Sequence, residues 1–388
     1  MIAESRNDEI EVLRAIAVLL VVFSHLDVLL GPGKYPAYEW MRVRYAFWIG
    51  VDLFFCISGY VIARSLLPKI QGLTGAAFWS EVVAFWIRRW YRIAPSAWAW
   101  VAILLFLTVV LNDGYVLGHL QSNITHALHA LLNIANFHTH SCAQAASSCQ
   151  GNPFTIYWSL SLEEQFYLIL PLAAALAGPR LALLCLALVL VQLVLDRNDL
   201  ASLLWFIRTD AILLGVLMGI ASNHSLWRTF EPTGFKSAVI RWPVLALLLI
   251  SLGAIPAART VSFGVGFAAL ISCALVYLAA FNHGYLISEG PLRRVLAWLG
   301  SRSFAIYLIH GSAFSITSIL ATRLTQAYGI QMDEFVVIRI IVAVAFLLLL
   351  SELNFRFLER PMRLRGRNIA AAYLSKNSAP TPSGIPHP

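Results

Sequence analysis

The chain has 388 residues, 59% of them hydrophobic and 12% charged, with a mean hydropathy of +0.73. Those values exclude an ordinary soluble enzyme and describe a polytopic membrane protein. The formal charge of +8 does not argue for nucleic acid, because the basic residues sit in short connections between apolar runs, where membrane topology places them.

A spanning helix needs about 20 mostly apolar residues, and about ten such runs are centred near Val18, Phe55, Leu104, Phe166, Leu188, Leu213, Leu249, Ala269, Ile309 and Phe346. They are continuous and Leu/Ala-rich, without the alternation of a barrel strand. The expected fold class is therefore all-α, a polytopic transmembrane helix bundle.

The first span, EVLRAIAVLLVVFSHLDVLL, carries Arg14 and His25. Their spacing amounts to about three helical turns, which stacks both on one face about 16 Å apart. Ionisable groups inside a bilayer are costly, so both are functional candidates. His25 is the best acid/base candidate, since a neutral imidazole tolerates burial and accepts a proton near neutral pH. The span does not read as a signal peptide. Acids precede it (Glu4, Asp8, Glu9, Glu11) and SHLDVLLGPGK offers no small-x-small cleavage site, so His25 is expected in the mature protein.

Ahead of the third span, FWSEVVAFWIRRWYRIAP puts Arg88, Arg89 and Arg92 within one helical turn. Planar guanidinia suit a nucleotide or coenzyme phosphate. The competing role is an interfacial anchor in which these Arg residues hold lipid headgroups beside Trp86 and Trp90. No Lys or Arg falls between Arg92 and Arg180, whereas the other connections and the tail RPMRLRGR are basic. The positive-inside rule therefore places both termini in the cytoplasm and the loop from about Asn112 to Pro153 outside. In that loop Cys142 and Cys149 are either a small disulfide or two unpaired thiols. Cys56, Cys185 and Cys273 lie in apolar spans and fill space.

The fourth span opens YWSLSLEEQFYLILP, where Ser159, Glu163 and Phe166 or Tyr167 share a face. Glu163 and the adjacent Glu164 sit about 100° apart, so that either one faces the bundle while the other reaches the boundary, or both are interfacial. In WFIRTDAILLG, Arg208 and Asp210 are two apart, cannot pair with each other, and each need a partner elsewhere, in an ion pair or on substrate. SRSFAIYLIHG aligns Ser303, Tyr307 and His310 on one face. The tail SKNSAPTPSGIPHP is Pro- and Ser-rich, and residues 366–388 are expected to be a disordered cytoplasmic tail behind a 1–365 transmembrane domain. A P-loop, HExxH and GxSxG are absent, so metal and serine-hydrolase chemistry have no support and no metal site is expected.

Taken in order, LRAIAVLLVVFSH, GVDLFFCISGYVI, RRWYRIAP, WSLSLEEQFYLILP, RTDAILLG, SFAIYLIH and FRFLERP resemble the acyltransferase 3 family of bacterial integral-membrane O-acyltransferases, which includes O-antigen, exopolysaccharide and nodulation-factor acylases. The resemblance runs almost the whole chain. It implies transfer of an acyl group, acetyl by family frequency, from cytoplasmic acyl-CoA to a hydroxyl of a glycan or glycolipid at the bacterial inner membrane. No permanently bound cofactor is implied; acyl-CoA is the donor substrate. The family's Arg and His of the first span correspond to Arg14 and His25, and its Arg motif before the third span to Arg89 and Arg92. On this reading Arg14 and the Arg88, Arg89, Arg92 cluster serve the donor, and His25 is general base or acyl relay. Glu163 or Asp210 would orient His25, and Tyr307 would donate to the oxyanion. Some family members carry a further SGNH-like domain; this chain resembles the stand-alone form. The rival reading is a glycan or lipid transporter or flippase, because intramembrane Arg, His and Asp also suit substrate pathways.

Overall fold

The computed structural model describes residues 7–31, 33–112, 116–145, 152–197, 202–259, 263–329 and 332–377. The described residues form a helical bundle with no strand. In chain order the main helices are α1 (Asp8–Ser24), α2 (Gly50–Ile70), α3 (Gly75–Val110), α4 (Leu120–Leu131), α5 (Ala135–Gln144), α6 (Tyr157–Ala177) and α7 (Leu181–Val194). They continue with α8 (Asp210–Ser222), α9 (Ala238–Ala258), α10 (Gly264–Ala280), α11 (Pro291–Ser301), α12 (Ser303–Tyr328), α13 (Val336–Asn354) and α14 (Arg360–Asn377).

Eight stretches among the described residues are long and apolar enough to cross a membrane, two fewer than the sequence count. Two local causes account for the difference. Tyr157–Val194 runs as one apolar stretch that breaks at Gly178, whose φ of +52° and following proline end α6. The helix Gly264–Ala280 is apolar but has only 17 residues. Large apolar side chains such as Phe106, Val109, Leu176, Leu247 and Ile341 point outward, the arrangement of a bundle solvated by lipid. This is a multi-pass membrane protein.

Close packing on α2 fixes the site. Gly59 and Gly215 let α2 and α8 touch through their backbones: a Cβ on Gly215 would stand 2.1 Å from the Cys56 carbonyl oxygen, and one on Gly59 would stand 2.0 Å from that of Ile212. Ion pairs tie the same region. Arg208 donates to both carboxylate oxygens of Asp52 at 2.9 Å, and Arg197 donates to Asp210 at 2.8 Å, all four residues being fully buried. Arg208 and Asp210 thus find separate partners, as their spacing requires.

Among the described residues, the acids that open the first span settle the start of its helix. Asn7 caps α1 by accepting from the Ile10 N–H at 3.1 Å, with Asp8, Glu9 and Glu11 in the first turn where the helix dipole favours negative charge. Buried Glu9 accepts the N–H groups of Gly284 and Leu286, which docks the start of α1 on the connection after α10. At the other end of the chain, the expected disorder does not begin at residue 366. Helix α14 continues to Asn377 because Gly366 and Ala370 are buried, with Gly366 against Tyr91 of α3. Residues 378–388 lie outside the described residues.

Candidate active site

Three cavities run end to end through the bundle. The widest, about 630 Å³, opens at the end where α1 begins and is lined by Glu11, Arg14, Arg64, Arg92, Glu359 and Arg363, among others. A second, about 80 Å³, shares Arg14, Arg92, Ser303 and Phe304 with it and continues past Ser58, Ser159, Glu163, Tyr167 and Tyr307. The third, about 120 Å³, shares Val51 and Tyr307 with the second and contains Ser24, His25, Trp48, Trp158, Trp205 and Arg208. The vestibule, the neck and the far cavity therefore form a track of adjoining spaces, with Arg14 at the junction of the first two and His25 in the third. The face of α1 that carries both side chains is what lines it.

The vestibule is strongly basic. Arg14, Arg64, Arg92 and Arg363 face it, while Glu11 sits 3.2 Å from Arg14. Glu359 reaches it from a π-helical turn, Phe355–Glu359, that joins α13 to α14 within the motif FRFLERP. Single π turns place side chains that a regular helix would aim elsewhere. The expected donor cluster is split. Arg14 and Arg92 line the vestibule, whereas Arg88 and Arg89 line none of the three cavities. The Arg89 guanidinium lies over the rings of Phe85 and Tyr167, 5.6 and 5.2 Å from their centres. Arg64, Arg363 and Glu359 were missed by sequence reasoning. The first two entered it only as interfacial charge, and their spacing along the chain gives no sign that they meet.

In the neck, Glu163 accepts hydrogen bonds from Ser58 and Tyr167 through the same carboxylate oxygen. It lines the cavity with Arg14 and not the one with His25, so an orienting contact on His25 is not made. Asp210 does not make one either, being committed to Arg197. The Tyr307 hydroxyl lies 3.1 Å from the Ile156 carbonyl, to which it donates, and 2.5 Å from Ser159 Oγ, which itself reaches the Ile156 carbonyl at 3.3 Å. Its single proton is engaged by these neighbours, so in this arrangement Tyr307 is a wall of the track and not an oxyanion donor.

His25 caps the C-terminal end of α1. Its Nδ1 is 2.9 Å from the Val21 carbonyl, which can only accept, so Nδ1 carries the proton and Nε2 keeps its lone pair. The ring of His310 meets it edge-on at 4.9 Å between centres. His310 is fully buried and its Nδ1 similarly faces the Tyr307 carbonyl at 2.6 Å. Arg208, besides pairing with Asp52, donates to the Trp205 carbonyl at 2.9 Å and is enclosed by the rings of Trp48, Trp158 and Trp205 at 5.6, 4.8 and 4.0 Å. The far cavity thus holds one fixed cation and one basic nitrogen.

Helices α4 and α5 lie outside the eight candidate spans and gather histidines. His126 and His138 meet edge-on at 4.5 Å, and His129 stacks on His138 at 4.2 Å. Donor atoms of His126, His138 and Cys142 lie within 4.8 Å of one another, but Cys142 is disulfide-bonded and offers no thiolate. The expected partner, Cys149, lies outside the described residues.

The family model for the acyltransferase domain matches residues 7–352. A Listeria monocytogenes peptidoglycan O-acetyltransferase, OatA, is 26% identical over 383 residues, covering 92% of this chain and 56% of that protein. An O-acetyltransferase OatA of Staphylococcus aureus is 23% identical over 394 residues, covering 95% and 58% respectively. A Bacillus subtilis protein, YrhL, named as a candidate peptidoglycan O-acetyltransferase, is 28% identical over 385 residues, covering 91% and 54%. The chain therefore spans just over half the length of these relatives. No solved structure matches it. With the family model covering all but its ends, the chain belongs to the acyltransferase 3 family.

Proposed function

We infer that the protein transfers an acetyl group from acetyl-CoA, bound in the basic vestibule, to a hydroxyl of a glycan at the His25 cavity. The observation that carries this reading is the succession of three adjoining cavities, sharing lining residues, that leads from Arg14 and Arg92 to His25. Arg14, Arg92 and Arg363 suit the donor's phosphates, for which planar guanidinia are well matched. The neck takes the thioester arm towards His25. Names of the relatives, O-acetyltransferases that include peptidoglycan enzymes, support acetyl as the group and a cell-envelope glycan as the acceptor.

In the reaction, His25 Nε2 removes the proton of the acceptor hydroxyl as its oxygen attacks the thioester carbonyl carbon. The C–S bond breaks, the ester forms, and the proton on His25 passes to the coenzyme thiolate, releasing the free thiol. Arg208 lines the same cavity with its donors held by Asp52 and the Trp205 carbonyl, and so fixes the wall of the site. In the relay version Nε2 itself takes the acetyl group before the hydroxyl does. Both need the tautomer that the Val21 carbonyl enforces.

The test is release of coenzyme thiol by the purified protein given acetyl-CoA and peptidoglycan fragments, alongside acetyl ester on the fragments. His25→Ala should lower both at least a hundredfold while the protein still accumulates, the range expected for loss of a positioned base. Near-normal acetylation by His25→Ala would remove this residue from the mechanism. Glycan movement across vesicles without thiol release would favour the transporter reading.

A further inference from the structure

The neck and the far cavity have two lining residues in common, Val51 and Tyr307. Whatever joins the two spaces passes these side chains. Tyr307 is held in place: its hydroxyl is bound by Ile156 and Ser159, and its ring meets Phe54 edge-on at 6.1 Å. The backbone that carries Val51 is equally immobile. Its neighbour Gly50 starts α2 in such close contact with α1 that a Cβ there would lie 2.4 Å from the Ala17 carbonyl oxygen. With one side pinned by hydrogen bonds and the other by backbone contact, the aperture is governed by the size of the side chain at position 51. Val51 is buried and β-branched, so its two methyl groups have little rotamer freedom with which to swing aside. Beyond it, about 120 Å³ must hold the acyl group together with the reacting end of the acceptor.

Resting on the donor reading above, we propose that Val51 is the residue that sets acyl chain length, admitting a two-carbon acyl group past Tyr307 and discriminating against longer ones. The relevant class of donor is thus a short-chain acyl thioester. A hydrophobic site distinguishes substrates differing by one methylene by about tenfold or more, a range that a single side chain at an aperture can supply.

The experiment compares acetyl-, propionyl- and butyryl-CoA with the intact purified protein and peptidoglycan fragments, reading kcat/KM from thiol release and acyl ester. Val51→Ala should raise the butyryl-to-acetyl ratio about tenfold or more, and Val51→Ile should lower it. Val51→Thr, which keeps the shape, should leave the ratio near that of the wild type and shows that position 51 tolerates replacement. A general loss of structure slows all three donors together and leaves the ratio where it was. A ratio within twofold of wild type in both the Ala and Ile variants, with acetyl transfer still measurable, overturns the role of Val51 and leaves the donor reading intact. A wild-type protein that releases no thiol from any of the three donors overturns the donor reading, and this inference with it.

Discussion

Arg89 and Arg92 are three residues apart and have different surroundings. Arg92 lines both the vestibule and the neck, whereas Arg89 packs between Phe85 and Tyr167 and lines neither. Lys keeps the charge but loses the planar fork that binds phosphate oxygens in pairs. Arg92→Lys is therefore expected to raise the apparent KM for acetyl-CoA roughly tenfold, the cost of one charge-assisted hydrogen bond, with little change in protein yield. Arg89→Lys should instead lower yield or thermal stability, because a guanidinium stacked on two rings is replaced by an ammonium. Initial rates at varied donor, set beside melting curves for each variant, separate the two. Equal donor saturation in wild type and Arg92→Lys would move the phosphate site away from this cluster. His25 and Arg14 were legible from sequence because polar residues in an apolar helix stand out, and helical spacing put them on one face. Val51, Phe54 and the Trp48, Trp158, Trp205 group were not, because apolar and aromatic residues in a spanning helix look the same whether they face lipid, core or cavity.

At the scale of elements, α2 and α8 depend on glycine at their contact. Gly215→Ala places a methyl carbon 2.1 Å from the Cys56 carbonyl oxygen, a backbone atom that cannot turn away. The helices must separate, and a loss of about 3 kcal/mol is expected, read as a fall in melting temperature and in detergent-extracted yield. Since Asp52 and Arg208 flank the same interface, activity should fall along with stability. A variant with unchanged melting temperature would show that the two helices have room to part. Helices α4 and α5 have a pH limit of their own. Burial, and secondarily the nearby His138 and His129, push the His126 imidazole down from 6.5 to about 4. In the unfolded segment the ring takes up its proton near 6.5, in the folded one only near 4. The unfolded form thus binds more protons between those values, and stability rises with pH across the window, is complete above it and is lost below it. At this buried ring about 2–3 kcal/mol is at stake. The protection of amides 120–144, taken relative to the intrinsic exchange rate at each pH, should fall between pH 6.5 and pH 4 in the wild type and show no such step in His126→Phe. The helices themselves were readable from apolar run length. The break at Gly178 and the helical course of residues 366–377 were not, since one depends on a single backbone angle and the other on Gly366 finding Tyr91 across the bundle.

For the molecule as a whole, the vestibule is lined both by Asn7, at the start of α1, and by Arg363, in the last helix. The start of the first helix and the start of the last therefore lie on one face of the bundle, and the positive-inside rule predicts that this face is cytoplasmic. Reporter fusions after Pro388 should be active only with cytoplasmic reporters, and fusions in the loop before Pro153 only with periplasmic ones. Strong periplasmic activity from the C-terminal fusion would invert the bundle, and the vestibule would then open away from the coenzyme pool.

The neck is narrow for a further reason. Its wall sets Phe54, Phe55, Ile93, Leu160 and Phe304 beside Arg14, Arg92 and Glu163, and its volume is about 80 Å³. A cation entering so small a space sheds its hydration and meets two guanidinium charges beside a carboxylate already held by Ser58 and Tyr167, at a cost of several kcal/mol. A bilayer that stores a proton gradient loses energy through any wet passage. On the proposed reading, a tight neck ringed by fixed charges would let a neutral acyl thioester reach the far side while the membrane around it continues to hold its voltage.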